Sequence, residues 1–388
     1  MKYDFDEIVN RKNTGSMKWD VPAGTLPMWV ADMDFRCAPA IRKAIEDRIT
    51  QDVFGYTLIS DEWYQAYISW WHRRHHLDIS KDWLMFVTGV VPAISSAVRK
   101  FTTPNENVVI QTPVYNIFFN SIINNGARVL ENPLKYDGEK YEMDFEDLER
   151  KLADPQTTLM ILCNPHNPVG KIWSREELAR VGELAEKYHV TVISDEIHCD
   201  LCDPGYEYVP FASVNETCRN VSITCIAPTK AFNLAGIQTA AIFSANEYLR
   251  HRINRAINTD EVAEPNVLAA IVPKAAFNDS EDWLDELREY LYCNKQTVRQ
   301  FIQKELPQIK VIDSHATYLL WLDCSRITKD ATDLKEHLAR HGLLLSEGEE
   351  YGQSGKSFLR LNTATCRSRI VQGLTLLKQG IESYEVNL

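Results

Sequence analysis

Long apolar runs, a paired cysteine framework and an excess of positive charge are all missing from this chain of 388 residues. Apolar stretches such as Val267–Val272 fall far short of the roughly 18 residues that a membrane-spanning helix needs. The opening Met1-Lys-Tyr-Asp-Phe-Asp-Glu7 has no apolar leader region, so the expectation is a soluble, cytoplasmic protein. With 42 Lys+Arg against 54 Asp+Glu the formal charge is −12, which repels polyanions and makes nucleic acid a poor partner. The one dense basic cluster, Trp71-His-Arg-Arg-His-His76, reads as a solvated helix face.

Nine cysteines are an odd number and are scattered without a short-spaced framework, which predicts reduced thiols. Cys199-Asp-Leu-Cys202 is a lone CxxC with no second pair at zinc spacing, and His72 and His76 lack the acidic neighbour of an HExxH site. No metal is expected. Gly352-Gln-Ser-Gly-Lys-Ser357 ends like a phosphate-binding loop, but the first glycine of that pattern would stand at Glu350.

What the chain does have is alternation. Short, wholly apolar runs at 84–88, 107–111, 128–130, 158–162, 191–194 and 221–225 read as strands, with helices from about Pro92 and over 174–188 between them. Ile41, Ile45 and Ile49 predict a helix over 39–50 with one apolar face. Such spacing predicts an α/β fold with a mainly parallel sheet covered by helices on both faces. Charged amphipathic helices over 280–306 and 333–341, flanking strand-like runs at 318–322 and 357–361, predict a smaller α+β domain. The expected division is a large domain over 49–282 and a small one built from 1–48 and 283–388.

Ligands of an open parallel sheet gather beyond the carboxyl ends of its strands. The residues at those ends are Gly89-Val-Val-Pro92, Thr112-Pro-Val-Tyr115, Asn164-Pro-His-Asn-Pro-Val-Gly170, Asp195-Glu-Ile-His198 and Ile226-Ala-Pro-Thr-Lys-Ala-Phe232. A glycine opening a helix offers free N–H groups to a phosphate. Lys230, between a buried strand and Ala231-Phe232, is placed to be desolvated and so to become nucleophilic. Taken singly, Asp195 also reads as a helix cap and Asn167 as a turn residue. Together, lysine, carboxylate, aromatic ring and phosphate cradle are the set that pyridoxal phosphate needs.

Asn164–Gly170, Ser194-Asp-Glu-Ile-His198, Thr229-Lys-Ala-Phe-Asn-Leu-Ala-Gly236 and Phe358-Leu-Arg-Leu-Asn362 resemble, in order, the motifs of fold-type I pyridoxal-phosphate enzymes of the class I/II aminotransferase superfamily. Met28-Trp-Val-Ala-Asp-Met-Asp-Phe35 and Phe54-Gly-Tyr-Thr57 are similar to its cystathionine beta-lyase (C–S lyase) branch. The resemblance implies that Lys230 joins the cofactor aldehyde and moves the substrate α-proton. It implies that Asp195 pairs with the ring nitrogen, Asn167 with the phenolic oxygen and Tyr115 with the ring face, while Arg360 clamps the substrate carboxylate beside Ala31 and Asn167. Gly89, Val90, Thr229 and Tyr56 from the partner subunit would hold the phosphate, which implies a homodimer. Three positions depart from the common pattern: His198 stands where tyrosine is frequent, Gly89-Val90 where a hydroxyl residue is, and Gln238 where arginine is. The implied reaction is β-elimination of a thiol from L-cystathionine or a related conjugate. Transamination to a 2-oxo acid is the alternative, and a non-catalytic regulator on the same scaffold is a third reading.

Overall fold

Seven strands form the main sheet, and their composition decides their burial. Asn107–Ile110, Thr157–Cys163, Thr191–Asp195 and Ser222–Ile226 are buried along almost their whole length, as parallel strands covered on both faces require. In the computed structural model, which describes residues 1–386, the order across the sheet is Leu84–Val87, Ala240–Phe243, Ser222–Ile226, Thr191–Asp195, Thr157–Cys163, Asn107–Ile110, Arg128–Glu131. All neighbours are parallel except Ala240–Phe243, which runs antiparallel to both of its own. Alternation along the strands feeds two cores. Leu159 and Ile161 meet Ile94, Val98 and Ile253 on one face, whereas Met160 and Leu162 meet Leu178 and Val181 on the other. Leu178 and Val181 belong to helix Arg175–Lys187, whose start is fixed by a reciprocal Ser174–Glu177 capping box.

A second sheet, antiparallel, has the order Lys310–Val311, Leu319–Asp323, Phe358–Asn362, Ser346–Glu347. Beside it Leu26–Pro27 pairs in parallel with Leu343–Leu344, so the beginning of the chain is drawn to its last third. The same beginning also reaches the large sheet's aromatic core, where Phe5, Phe35 and Ile41 meet Trp63, Tyr67 and Trp70 of helix Asp61–His75. Helix Glu281–Glu305 links the two regions. Its first half buries Trp283, Leu287 and Tyr290 in the aromatic core and its second half buries Val298 and Ile302 against the small sheet.

Helix 39–50 is observed as Pro39–Ile49, but only Ile41 is fully buried and Ile49 is largely exposed, so the apolar stripe leaves the core along the helix. Ala240–Phe243 and the helices Glu247–Thr259, Val272–Asp279 and Arg367–Val386 complete the fold without having been expected from the sequence. Among the described residues no helix is long and apolar enough to cross a membrane, and all nine cysteines are free thiols.

The loop Asn164–Gly170 docks on the small-sheet side through Gly170, whose carbonyl accepts from the His315 and Ala316 N–H groups at 3.0 Å. Gly170 has φ +71°, and a Cβ there would lie 2.6 Å from Ser314 Cβ and 2.8 Å from Ala316 O. Gly170→Ala is therefore expected to destabilise the fold by about 1–3 kcal/mol. Thermal unfolding checks this, and an unchanged midpoint would show that the loop yields freely.

Candidate active site

The sheet register brings the chemistry together. Cys163, Asp195 and Cys225 are opposed across three neighbouring strands, so the loops that follow them leave from one edge. There they surround a cavity of about 240 Å³. Ala31, Gly89, Val90, Tyr115, Asn167, Asp195, His198, Thr229 and Lys230 all line it. Arg360 reaches the same place through Asn167, its Nη1 donating to Asn167 Oδ1 at 3.4 Å. Tyr56 is apart from the others, fully exposed on the extended segment after helix Pro39–Ile49.

Burial sets the charges of this group. Asp195 is buried and its side chain accepts one hydrogen bond, from the Ile197 N–H at 3.1 Å, so it caps a turn rather than a helix. Loss of solvent raises its carboxyl to about 6, against the opposing pull of that N–H and of Lys230. Lys230 is brought down to about 8, first by burial and then by the Arg360 charge, with Asp32 and Asp195 acting the other way. Its Nζ donates to the Ala31 carbonyl at 2.7 Å. His198 is driven down to about 3 by burial and by the Lys230 and Arg360 charges, so its ring is neutral at pH 7. Burial and the Asp195 charge lift the Tyr115 hydroxyl to about 12, leaving its ring as an uncharged wall.

A strap over Trp29–Phe35 borders the cavity, and on the cavity side it is held through its backbone, while its Asp32 and Asp34 side chains pair with Arg11 and Lys18. Arg360 Nη2 donates to Trp29 O at 2.8 Å, and Asn362 Nδ2 to Val30 O and Asp32 O at 2.6 and 2.7 Å. Tyr318 adds its hydroxyl to Ala31 O at 3.0 Å, and Asn233 donates to Met33 O and Phe35 O at 3.0 Å. Tyr318, Ser346 and Tyr351 are the residues that sequence reasoning did not single out. Tyr351 lies under the Arg360 guanidinium, with 5.0 Å from Cζ to the ring centroid, and Ser346 Oγ lies 3.4 Å from Nη2. Asn233 and Asn362 stood within recognised motifs but without a role.

Several polar groups here are arranged for something more than one another. Arg360 Nε and His198 Nδ1 are buried without a partner. Helix Val90–Phe101 opens at Gly89 with no side-chain cap, and its first residues, Val90 and Val91, line the cavity. An uncapped helix start favours an anion. Thr88 and Gln238 also line this end, supplying the hydroxyl and amide that partly replace the residues common at positions 89–90 and 238. A phosphate at the helix start, a ring nitrogen at Asp195 and an aldehyde at Lys230 are one molecule, and the site fits pyridoxal phosphate. A larger cleft of about 710 Å³ adjoins the strap, but its charges are already neutralised, Arg11 by Asp32 and Asp34 and Arg36 by Glu7.

Comparison with known proteins agrees. The profile of the family "Aminotransferase class I and II" matches residues 27–373. Cystathionine beta-lyase PatB of Bacillus subtilis is 39% identical over 97% of this chain and all of its own length, and the protein MalY of Escherichia coli 31% over 98% and 99%. Cystalysin from Treponema denticola, solved with pyridoxal 5'-phosphate, superposes with a TM-score of 0.95 at 33% identity, covering 99% of this chain and 100% of that one. A pyridoxal-phosphate-bound C–S lyase from Staphylococcus hominis gives 0.92 at 32%, over 98% and 99%. The fold is that of a fold-type I pyridoxal-phosphate enzyme. Within that class, this chain belongs to the class I and II aminotransferase family.

The lowered basicity of Lys230 has a direct readout. In cofactor-stripped protein, trinitrobenzenesulfonate should modify Lys230 at a rate that rises with the neutral amine as pH passes upward through about 8. An ordinary lysine responds near 10.4. Peptide mapping checks the site, and a midpoint for Lys230 above 10 would refute the desolvated setting.

Proposed function

We propose that this chain is a pyridoxal-phosphate-dependent carbon–sulfur β-lyase acting on L-cystathionine or related cysteine S-conjugates. The observation that carries the reading is the gathering of Lys230, Asp195 and Asn167 around one cavity that Arg360 reaches through Asn167, with the Lys230 amine held at low basicity by burial and the Arg360 charge. Elimination is preferred over transamination on the likeness to proteins named cystathionine beta-lyase and C–S lyase.

When bound, pyridoxal phosphate supplies an electron sink conjugated to the substrate α-carbon. The chain's own residues then have separate tasks. Arg360 offers its free Nε and the adjoining Nη groups to the substrate α-carboxylate, a two-point contact in which Asn167 and Ala31 form the surroundings. Asp195 would pair with the ring nitrogen and keep it protonated. Asn167 and neutral His198 would meet the phenolic side, and Tyr115 would cover the ring. Gly89 and Val90 at the helix start, with Thr229, would hold the phosphate. Lys230 Nζ removes the proton from the substrate α-carbon. The C–S bond at Cβ breaks with its electron pair going to sulfur, and the thiolate leaves and takes up a proton. Water hydrolyses the released aminoacrylate to pyruvate and ammonia, so no oxidant or reductant is consumed.

The same reading makes the active unit a cytoplasmic homodimer, with Tyr56 of the partner subunit reaching the phosphate. Its support is the exposed apolar run Val53, Phe54, Tyr56 and Leu58, which a lone chain leaves in water. It also assigns residues 49–282 to a cofactor-binding domain and 1–48 with 283–388 to a small domain.

L-Cystathionine supplied without any 2-oxo acid should yield pyruvate, ammonia and L-homocysteine in equal amounts. Turnover that appears only after an acceptor is added would replace this reading by transamination. Borohydride should fix the cofactor on Lys230, and Lys230→Ala should abolish the adduct. Arg360→Lys removes one of two charge-assisted contacts, worth about 1.5–3 kcal/mol, and is expected to lower kcat/KM by roughly 10- to 100-fold. Steady-state kinetics checks it, and a loss under twofold would remove Arg360 from carboxylate binding.

A further inference from the structure

The turn after Asp195 presents His198 to the cavity, and the residues beyond it turn the other way. On that far side the turn meets the last residues of helix Asp61–His75. One ring nitrogen of His75, Sγ of Cys199 and a carboxylate oxygen of Asp200 lie within 4.8 Å of one another. All three line a separate cleft of about 290 Å³. The CxxC is thus joined not by a second cysteine pair but by a histidine 124 positions earlier in the chain than Cys199, a juxtaposition that only the fold creates.

The internal hydrogen bonds do not account for the whole cluster. Asp200 Oδ1 accepts from Trp70 Nε1 at 3.0 Å and lies 2.8 Å from His75 Nε2, but Asp200 Oδ2 is buried without a partner. A buried carboxylate oxygen left bare is costly and points to a missing ligand. Tyr208 packs edge-on against the His75 ring at 4.8 Å and holds it in place. Imidazole, thiolate and carboxylate together suit zinc and its thiophilic relatives, whereas magnesium and calcium prefer oxygen alone.

We propose that His75, Cys199 and Asp200 form a binding site for a thiophilic divalent cation, zinc in particular, on the side of the turn opposite the reaction cavity. The fourth position faces the cleft and belongs to water, because Cys202 directs its Sγ to the Cys199 carbonyl at 3.6 Å. Binding forms the metal–sulfur bond and releases the Cys199 thiol proton to solvent, with no change of oxidation state. A cation held there ties helix Asp61–His75 to the turn that carries Asp195 and His198.

Cobalt(II) is the probe, added to the holoenzyme. One equivalent per chain should bring up a thiolate-to-cobalt charge-transfer band in the near ultraviolet and the visible bands of a tetrahedral site, both removed by equimolar zinc. Cys199→Ser and His75→Gln should each abolish the charge-transfer band. Absence of the band in the wild type overturns the proposal. So does its persistence in either variant, which would trace it to another thiol such as exposed Cys293. If Cys199→Ser does not fold, His75→Gln, altered at the cleft surface, decides alone.

Discussion

The site depends on one constraint, the fastening of the strap Trp29–Phe35 by hydrogen bonds to its carbonyl oxygens. The donors come from both sheets: Lys230 and Asn233 follow a strand of the large one, while Arg360, Asn362 and Tyr318 belong to the small one or its approach. Two of these donors are also the reactive cations. Position of the strap and position of the chemistry are therefore the same problem. Asn362 donates to two of these carbonyls at once, and losing each such hydrogen bond costs about 0.5–1.5 kcal/mol.

Charge inside the cavity follows from burial. Burial leaves Asp195, with Asp32 nearby, to answer Lys230 and Arg360, and the Arg360 charge adds to burial in lowering the tendency of Lys230 to hold its proton. The uncapped start of helix Val90–Phe101 adds a partial positive charge at the opposite end. A molecule that carries −12 overall can thus be locally positive, because short-range groups in a poorly solvated space outweigh a distant, screened net charge.

The strands of the large sheet were legible because burial on both faces forces apolar runs, and the residues at their carboxyl ends include Tyr115, Asn167, Asp195 and Lys230. Ala240–Phe243 was not legible because half of it is alanine, which is depleted in strands. Helix Glu247–Thr259 was hidden by its polar outer face, which carries Arg250, His251 and Arg255 beside the buried Leu249 and Ile253. In the site, resemblance of motifs located Arg360, but nothing in the chain announced that Trp29 O, Ser346 and Tyr351 would aim its guanidinium. Trp29 lies 331 positions from Arg360 and acts through a backbone atom, while Ser346 meets it by strand pairing and Tyr351 through the fold of the intervening loop, and none of these leaves a local pattern. The stripe Ile41, Ile45, Ile49 misled in the other direction, since helical spacing says which residues share a face and not how far that face stays covered.

The antiparallel strand Ala240–Phe243 has a consequence for biosynthesis. Leu84–Val87 stands at the edge of the sheet, and its one strand neighbour there is Ala240–Phe243. A nascent chain emerging from the ribosome must therefore carry Leu84–Val87, and the Gly89 turn behind it, unpaired until residue 243 is out. The interior strands can associate with partners made soon before or after them, but this edge waits for a late arrival. Closing so long a loop is slow relative to local pairing. The phosphate cradle is thus, by strand order alone, among the last parts of the large sheet to be set.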